Sequence, residues 1–154
     1  MSDADGRPPL ARLFAIAYRQ LVDDLHHRLR QRGWHDVRPA YGFVLLAARD
    51  APVTVTGLVE LLGMTKQAAS KLADAMVSGG YLQRGGAGED ARVRPFELSD
   101  HGRRLLHDVE QIYAELDALW AARIGADRLE QLRADLRAAV AGPDGVLPAV
   151  RPLW

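Results

Sequence analysis

The only two lysines of the chain, Lys66 and Lys71, lie five residues apart in one short segment. The chain has 20 basic residues, and all of the others are arginine. Gln67 and Ser70 lie between the lysines, and their side chains both donate and accept hydrogen bonds, as contacts to base edges require. Lysine ammonium groups neutralise phosphates. The segment therefore predicts a DNA-binding surface, with an ordinary solvated helix face as the alternative interpretation.

A helix that begins after Thr65 would place these side chains on one face, since Thr65 is a good N-terminal cap. At about 100° per residue, a buried face and a hydrogen-bonding face separate along the segment. The predicted buried face contains Ala69, Leu72, Ala73 and Met76. The predicted exposed face contains Lys66, Gln67, Ser70, Lys71 and Asp74.

The flanking elements indicate what such a helix does. Thr54 can cap a short preceding helix that stops at Gly63. After Gly79, residues 81–84 and 92–98 have the pattern of two short strands joined by a glycine-rich turn. A short helix, a turn, a second helix and a two-stranded ribbon form a helix-turn-helix with a wing, whose second helix enters the DNA major groove.

Longer helices are predicted on both sides of this unit. Apolar residues recur at helical spacing from Leu10 to about residue 32, and Pro39 suits the first turn of the next helix. Ser99 can cap a long helix that Gly125 interrupts, and one more helix follows. The sequence thus predicts a mainly α (α+β) fold in one domain spanning residues 1–154.

Composition restricts the class of protein. The net charge is zero, so an anion-binding surface has to be local rather than global. The chain contains no cysteine, which leaves no disulfide and no thiol nucleophile. No apolar run approaches the roughly 20 residues of a membrane helix, and the acidic start does not resemble a secretion signal. We therefore expect a cytoplasmic protein with no membrane partner.

Catalytic and metal-binding patterns are the competing interpretations. No phosphate-binding glycine loop, paired carboxylates or nucleophile elbow occurs in the chain. The five histidines do not form the helical i, i+4 pair typical of zinc sites. We expect no enzyme activity, no cofactor and no metal. A winged-helix module that binds another protein instead of DNA stays open as an alternative.

Two stretches carry a family resemblance. "VTGLVELLGMTKQAASKLADAMVSGGYLQR" and "EDARVRPFELSDHGR" resemble the winged helix-turn-helix of the multiple-antibiotic-resistance regulator (MarR) family of bacterial transcription factors. The second stretch is similar to that family's wing pattern at Asp90, Arg92, Leu98, Ser99, Gly102 and Arg103. Two positions depart from the pattern. Arg38 stands where the family often has a Thr or Ser cap, and Pro95 fits only an edge strand.

The resemblance implies a homodimer that presents two recognition helices to a pseudo-palindromic operator in double-stranded DNA. Residues 10–33 and 99–142 would be dimerisation helices, 38–98 the DNA-binding part, and 1–9 and 143–154 irregular tails. It also implies that Arg92 enters the minor groove, oriented by Asp90. Arg84 is either a phosphate contact or a solvated charge. The predicted DNA-binding set is Thr65, Lys66, Gln67, Ser70, Lys71, Arg84, Asp90, Arg92 and Arg94.

The same resemblance implies a transcriptional regulator, a repressor in our interpretation, that a small aromatic or anionic effector releases from DNA. Family members bind such ligands between the dimer helices and the winged part. Core or dimer packing is the favoured interpretation of Trp34, Tyr113 and Trp120. The candidate ligand residues are Tyr18, His26, Trp34, His35, Arg38, Tyr41, Tyr113 and Trp120.

Overall fold

Six helices and a two-stranded antiparallel sheet make up the computed structural model, which describes residues 6–85 and 94–150. This confirms the predicted mainly α fold. Within the described residues, no helix is long and apolar enough to cross a membrane. The elements are α1 (Leu10–Gln31), α2 (Pro39–Asp50), α3 (Val55–Leu62), α4 (Lys66–Ser78), β1 (Leu82–Arg84), β2 (Phe96–Leu98), α5 (Asp100–Ile124) and α6 (Ala126–Val140).

Helix ends follow the local chemistry of the sequence. The side chains of Thr54, Thr65 and Ser99 each accept a hydrogen bond from a backbone N–H three residues further on, which caps α3, α4 and α5. Gly63 ends α3 with a φ of 61°, a conformation that side chains disfavour. Arg38, at the start of α2, makes no side-chain cap, and Pro39 occupies the first helical position.

One apolar core joins α2, α3, α4 and the two strands to the C-terminal half of α1 and to α5 as far as Leu116. Leu45, Leu58, Met76 and Leu105 are among its fully buried side chains. Helix α4 therefore joins the core through one face alone, and it packs mainly against α3 and β1. The buried residues of α4 are Ala69, Leu72, Ala73 and Met76, the four that the helical wheel predicts.

Charged side chains fasten α1 to α5, which run side by side. Arg28 donates to Glu115 at 2.8 Å, and Arg32 donates to both Asp108 and Glu115 at 3.1 and 2.5 Å. The indole N–H of Trp34 also donates to Asp108, at 2.7 Å. Such networks at a half-exposed seam fix orientation more than they add stability.

The outer ends of the long helices leave apolar side chains uncovered. Of the α1 stripe, only Leu25 and Leu29 are buried, whereas Leu10, Leu13 and Phe14 are 68%, 44% and 46% exposed. Helix α6 has no buried residue at all. A single chain thus leaves the apolar faces of its terminal helices without an apolar partner.

His26, on α1, is expected to make stability depend on pH. Burial, and then the nearby Arg30, lower the pKa of its imidazole, although Asp23 and the Val37 backbone act in the opposite direction. Because the folded state disfavours protonation of His26, folding is favoured while this imidazole is neutral. The resulting stabilisation is fully present above the ordinary histidine pKa of about 6.5 and is lost as the pH falls below it. The free energy of unfolding should therefore decrease between about pH 7 and pH 5.

Chemical denaturation across that pH range, on the parent and two glutamine variants, tests this expectation. His26→Gln should flatten the pH dependence, because the titrating group is gone. His27→Gln, at the exposed neighbouring position, should leave it unchanged. An unchanged slope in His26→Gln would show that other groups cause the dependence.

Candidate nucleic-acid interface

The exposed face of α4 carries the polar row that the sequence predicts. Lys66, Gln67 and Lys71 are exposed and Ser70 is half-buried. Within the described residues, neither lysine forms an ion pair, since the carboxylate of Asp74 instead lies 3.8 Å from Arg84. Both ammonium groups are therefore available to external anions, and two hydrogen-bonding side chains lie between them.

The first turn of α4 adds backbone groups to this face. The Thr65 hydroxyl oxygen accepts the N–H of Ala68 at 3.1 Å, which leaves its own hydrogen able to donate. The amides of the first helical residues have no intrahelical partner and carry the positive end of the helix dipole. This end of α4 suits a DNA phosphate.

The wing, formed by β1 and β2, packs beside α4. Strands β1 and β2 pair antiparallel, with Arg84 opposite Phe96. The Arg84 guanidinium lies 5.0 Å from the centre of the Phe96 ring and 3.8 Å from Asp74 on α4. Arg84 thus connects the wing to the recognition helix. Arg94 is half-buried at the base of the wing, and Asp90 and Arg92 lie outside the described residues.

Val53, between α2 and α3, adds a second short pairing to β2, which the sequence pattern does not predict. It exchanges two backbone hydrogen bonds with Phe96, at 2.9 and 2.7 Å. Because a single bridging residue has no periodicity, the Val53–Phe96 pairing is seen only in the folded chain.

Pro95 lies just before β2. The amide of Gly85 donates to the carbonyl of Pro95 at 2.8 Å, and the missing N–H of Pro95 breaks no strand pairing.

The start of α5 anchors the far end of α4. The hydroxyl of Ser99 donates to the carbonyl of Gly80, and the amide of Ser99 donates to the carbonyl of Tyr81. The ring of His101 stacks on Tyr81, with centroids 5.0 Å apart, and also contacts Trp34 at 4.9 Å. Sequence patterns do not predict these contacts, because the contacting residues come from three distant segments.

The eight candidate ligand residues occupy different environments. Tyr41 is buried in the core, and Trp34 packs in the aromatic cluster with its N–H bonded to Asp108. Tyr18 and Trp120 line a groove of about 500 Å³ between α1, α5 and α6. His26 is half-buried, whereas His35, Arg38 and Tyr113 are exposed.

Solved structures share this fold over most of their length. The reduced form of MarR from E. coli aligns with a TM-score of 0.73 and 22% identity, covering 88% of this chain and 99% of that one. MepR, a transcription regulator of the Staphylococcus aureus multidrug efflux pump MepA, aligns with a TM-score of 0.65 and 18% identity, covering 86% and 96%. A MarR-family regulator from Rhodococcus sp. RHA1 gives 0.67 and 18%, covering 84% and 92%.

The match to a family model covers a shorter part of the chain than the structural alignments do. No curated protein matches the chain significantly. Residues 35–93, however, match the model of the MarR family, and this range contains α2, α3, α4 and β1, the first strand of the wing. The matched range includes the polar face of α4, and the solved structures share the fold of the chain.

Proposed function

We propose that the protein is a cytoplasmic repressor that binds a pseudo-palindromic operator as a homodimer and leaves it when a small effector binds. The observation that carries the proposal is the α4 face, where two unpaired lysines flank Gln67 and Ser70 on a helix anchored by its opposite side. The match of residues 35–93 to the MarR family, together with the fold shared with transcription regulators, argues against an enzyme.

In this proposal the contacts divide into phosphate and base contacts. Lys66 and Lys71 neutralise phosphates. Further contacts to the DNA sugar–phosphate backbone come from Thr65 at the start of α4 and from Arg84 and Arg94 in the wing. Gln67 and Ser70 address base edges in the major groove, where a glutamine can bond adenine through two atoms. On the strength of the family resemblance alone, Arg92 extends the interface into the minor groove, and Asp90 orients it.

Replacing Gln67 with alanine tests the base-reading role. If Gln67 reads a base, operator affinity should fall by roughly 1–3 kcal/mol, while affinity for random DNA changes little. Fluorescence anisotropy on operator and scrambled duplexes measures both. The matched control is Gln20→Ala, an exposed glutamine on α1. Equal losses on both duplexes would remove Gln67 from the base-reading set.

Dimerisation is supported by the apolar surface that one chain leaves uncovered. The groove between α1, α5 and α6 has mainly apolar walls, including Leu13, Phe14 and Leu132. Leu119 and Val140, on α5 and α6, are also 45% and 53% exposed. A second copy of the same helices would cover these faces and set the spacing of two recognition helices.

Phe14→Glu is expected to weaken the dimer strongly, because it places a charge in the apolar stripe of α1. Light scattering and sedimentation at micromolar concentration should show a shift toward monomer, accompanied by loss of operator binding. Gln31→Glu adds the same charge at the exposed end of α1 and serves as the control. An unaltered dimer in Phe14→Glu would place the interface elsewhere.

An effector site is supported by features along α1. A cleft of about 800 Å³ is lined by Arg12, Tyr18, Arg19 and Pro39, among others, so cationic and aromatic groups share it. The Nε2 atom of His26 is buried and has no hydrogen-bond partner among the described residues. Buried polar atoms of this kind call for a partner. A ligand bound in the cleft or beside His26 lowers DNA affinity only if it prefers the arrangement of the two α4 helices that the dimer adopts off DNA.

A further inference from the structure

A third cavity, besides the groove between α1, α5 and α6 and the cleft lined by Arg12 and Tyr18, lies where the end of α1 meets the start of α5. It has a volume of about 390 Å³ and is lined by Trp34, Arg103, Arg104, His107 and Asp108. Positions 103 and 107, and positions 104 and 108, are one helical turn apart, so all four α5 side chains share a contiguous face. Three of them are basic side chains.

The one carboxylate of the cleft is already engaged. Asp108 accepts hydrogen bonds from Arg32 at 3.1 Å and from the Trp34 indole at 2.7 Å. Its charge is therefore directed toward the α1 seam and does not neutralise the two arginines of the cleft. The arginines at the end of α1 are thus paired with carboxylates of α5, Arg28 with Glu115 and Arg32 with Asp108.

The two cleft arginines lack such partners. The Arg103 side chain is exposed and forms no ion pair or hydrogen bond within the described residues. Within the same residues, the Arg104 side chain contacts only a ring nitrogen, Nδ1 of His101, at 3.4 Å. Both arginines line one cleft, and the planar fork of a guanidinium fits the oxygens of a carboxylate or phosphate. The half-buried Trp34 side chain forms one wall beside them.

We propose that this cleft binds a small oxyanion, a carboxylate or phosphate compound, held by Arg103 and Arg104 with His107 as a third contact. The volume lies within the range of about 300–1,000 Å³ usual for small-molecule sites. The site is separate from the α4 face and from the α1 cleft described above, so anion binding does not depend on the proposed DNA-binding function.

Nuclear magnetic resonance of the ¹⁵N-labelled full chain tests the proposal without DNA. The indole N–H of Trp34 gives one signal, assigned by its loss in Trp34→Phe. Inorganic phosphate and succinate are titrated separately, with sodium chloride at equal ionic strength as the reference. The proposal predicts a saturable shift of this signal with at least one of the two anions, and the tighter one identifies the preferred oxyanion.

Paired variants decide the assignment. Arg103→Gln combined with Arg104→Gln should weaken binding about tenfold or more, whereas Arg123→Gln, an exposed arginine near the end of α5, should not. No saturable shift, or equal shifts in the double variant, would overturn the proposal. It would also be overturned if the parent bound neither anion while the double variant lowered operator affinity and its salt dependence, because the arginines would then be DNA contacts.

Discussion

Lys71→Glu should lower DNA affinity by roughly 100-fold at low salt, on operator and random duplexes alike, because each dimer loses two phosphate contacts and gains two repulsive charges. The plot of log affinity against log salt concentration should become shallower by about 2, since roughly 0.9 counterion is released per phosphate neutralised. Fluorescence anisotropy across a salt series measures both quantities.

The control for this charge reversal has to keep the same change in net charge. Arg123→Glu changes the charge by the same amount at an exposed site on α5, outside the winged unit. It should alter DNA binding little. If Lys71→Glu and Arg123→Glu had equal effects, the α4 face would be an ordinary solvated surface.

Gly102→Ala is expected to destabilise the fold by roughly 2–3 kcal/mol, the cost of overpacking a close backbone contact. A methyl group at this position would lie 2.0 Å from the carbonyl oxygen of Tyr81 and 3.4 Å from Leu98. Tyr81 lies at the junction between α4 and β1. Relieving this steric clash therefore requires α4 to move away from α5. Chemical denaturation of the purified protein measures the loss at fixed protein concentration.

Gly42→Ala is the matched control, because it exchanges the same two residues inside a helix. Among the described residues, and apart from its chain neighbours and the nearby backbone of α2 itself, no atom lies within 4 Å of a methyl group at Gly42. Alanine should be neutral there or stabilising by up to about 1 kcal/mol, through helix propensity and a less flexible unfolded chain. A stable Gly102→Ala protein would show that the α4–α5 contact yields easily and does not position the recognition helix.

Local chemistry predicted the elements of the fold. Thr54, Thr65 and Ser99 could be recognised as caps because each precedes an apolar periodic segment, and the structure confirms all three. The buried face of α4 followed from spacing alone, since residues 69, 72, 73 and 76 share one side of any helix. The lysine row on the opposite side follows for the same reason.

Contacts between distant segments could not be predicted in this way. The Val53–Phe96 pairing joins two segments through one residue each. The aromatic cluster joins Trp34, Tyr81 and His101, and the salt bridge between Arg32 and Asp108 spans 76 positions. No periodicity records such pairings, because they depend on how the helices pack.

The apolar stripes were informative for a different reason. They predicted more buried surface than one chain provides, since Leu13 and Phe14 on α1 and Leu119 on α5 are exposed. Periodicity reports which side chains avoid water but not which chain covers them. The excess supports the proposed dimer, in which a second copy completes the burial.

Binding of the purified protein to DNA from its own upstream region tests the central claim most directly. Fluorescence anisotropy compares that duplex with a scrambled duplex of equal composition over a salt series. The proposed function predicts tight binding to the upstream duplex, weaker binding to the scrambled one, and a steep loss of both with salt. A folded dimer that bound neither duplex at low salt would contradict direct DNA recognition, and would favour a winged-helix module that binds protein.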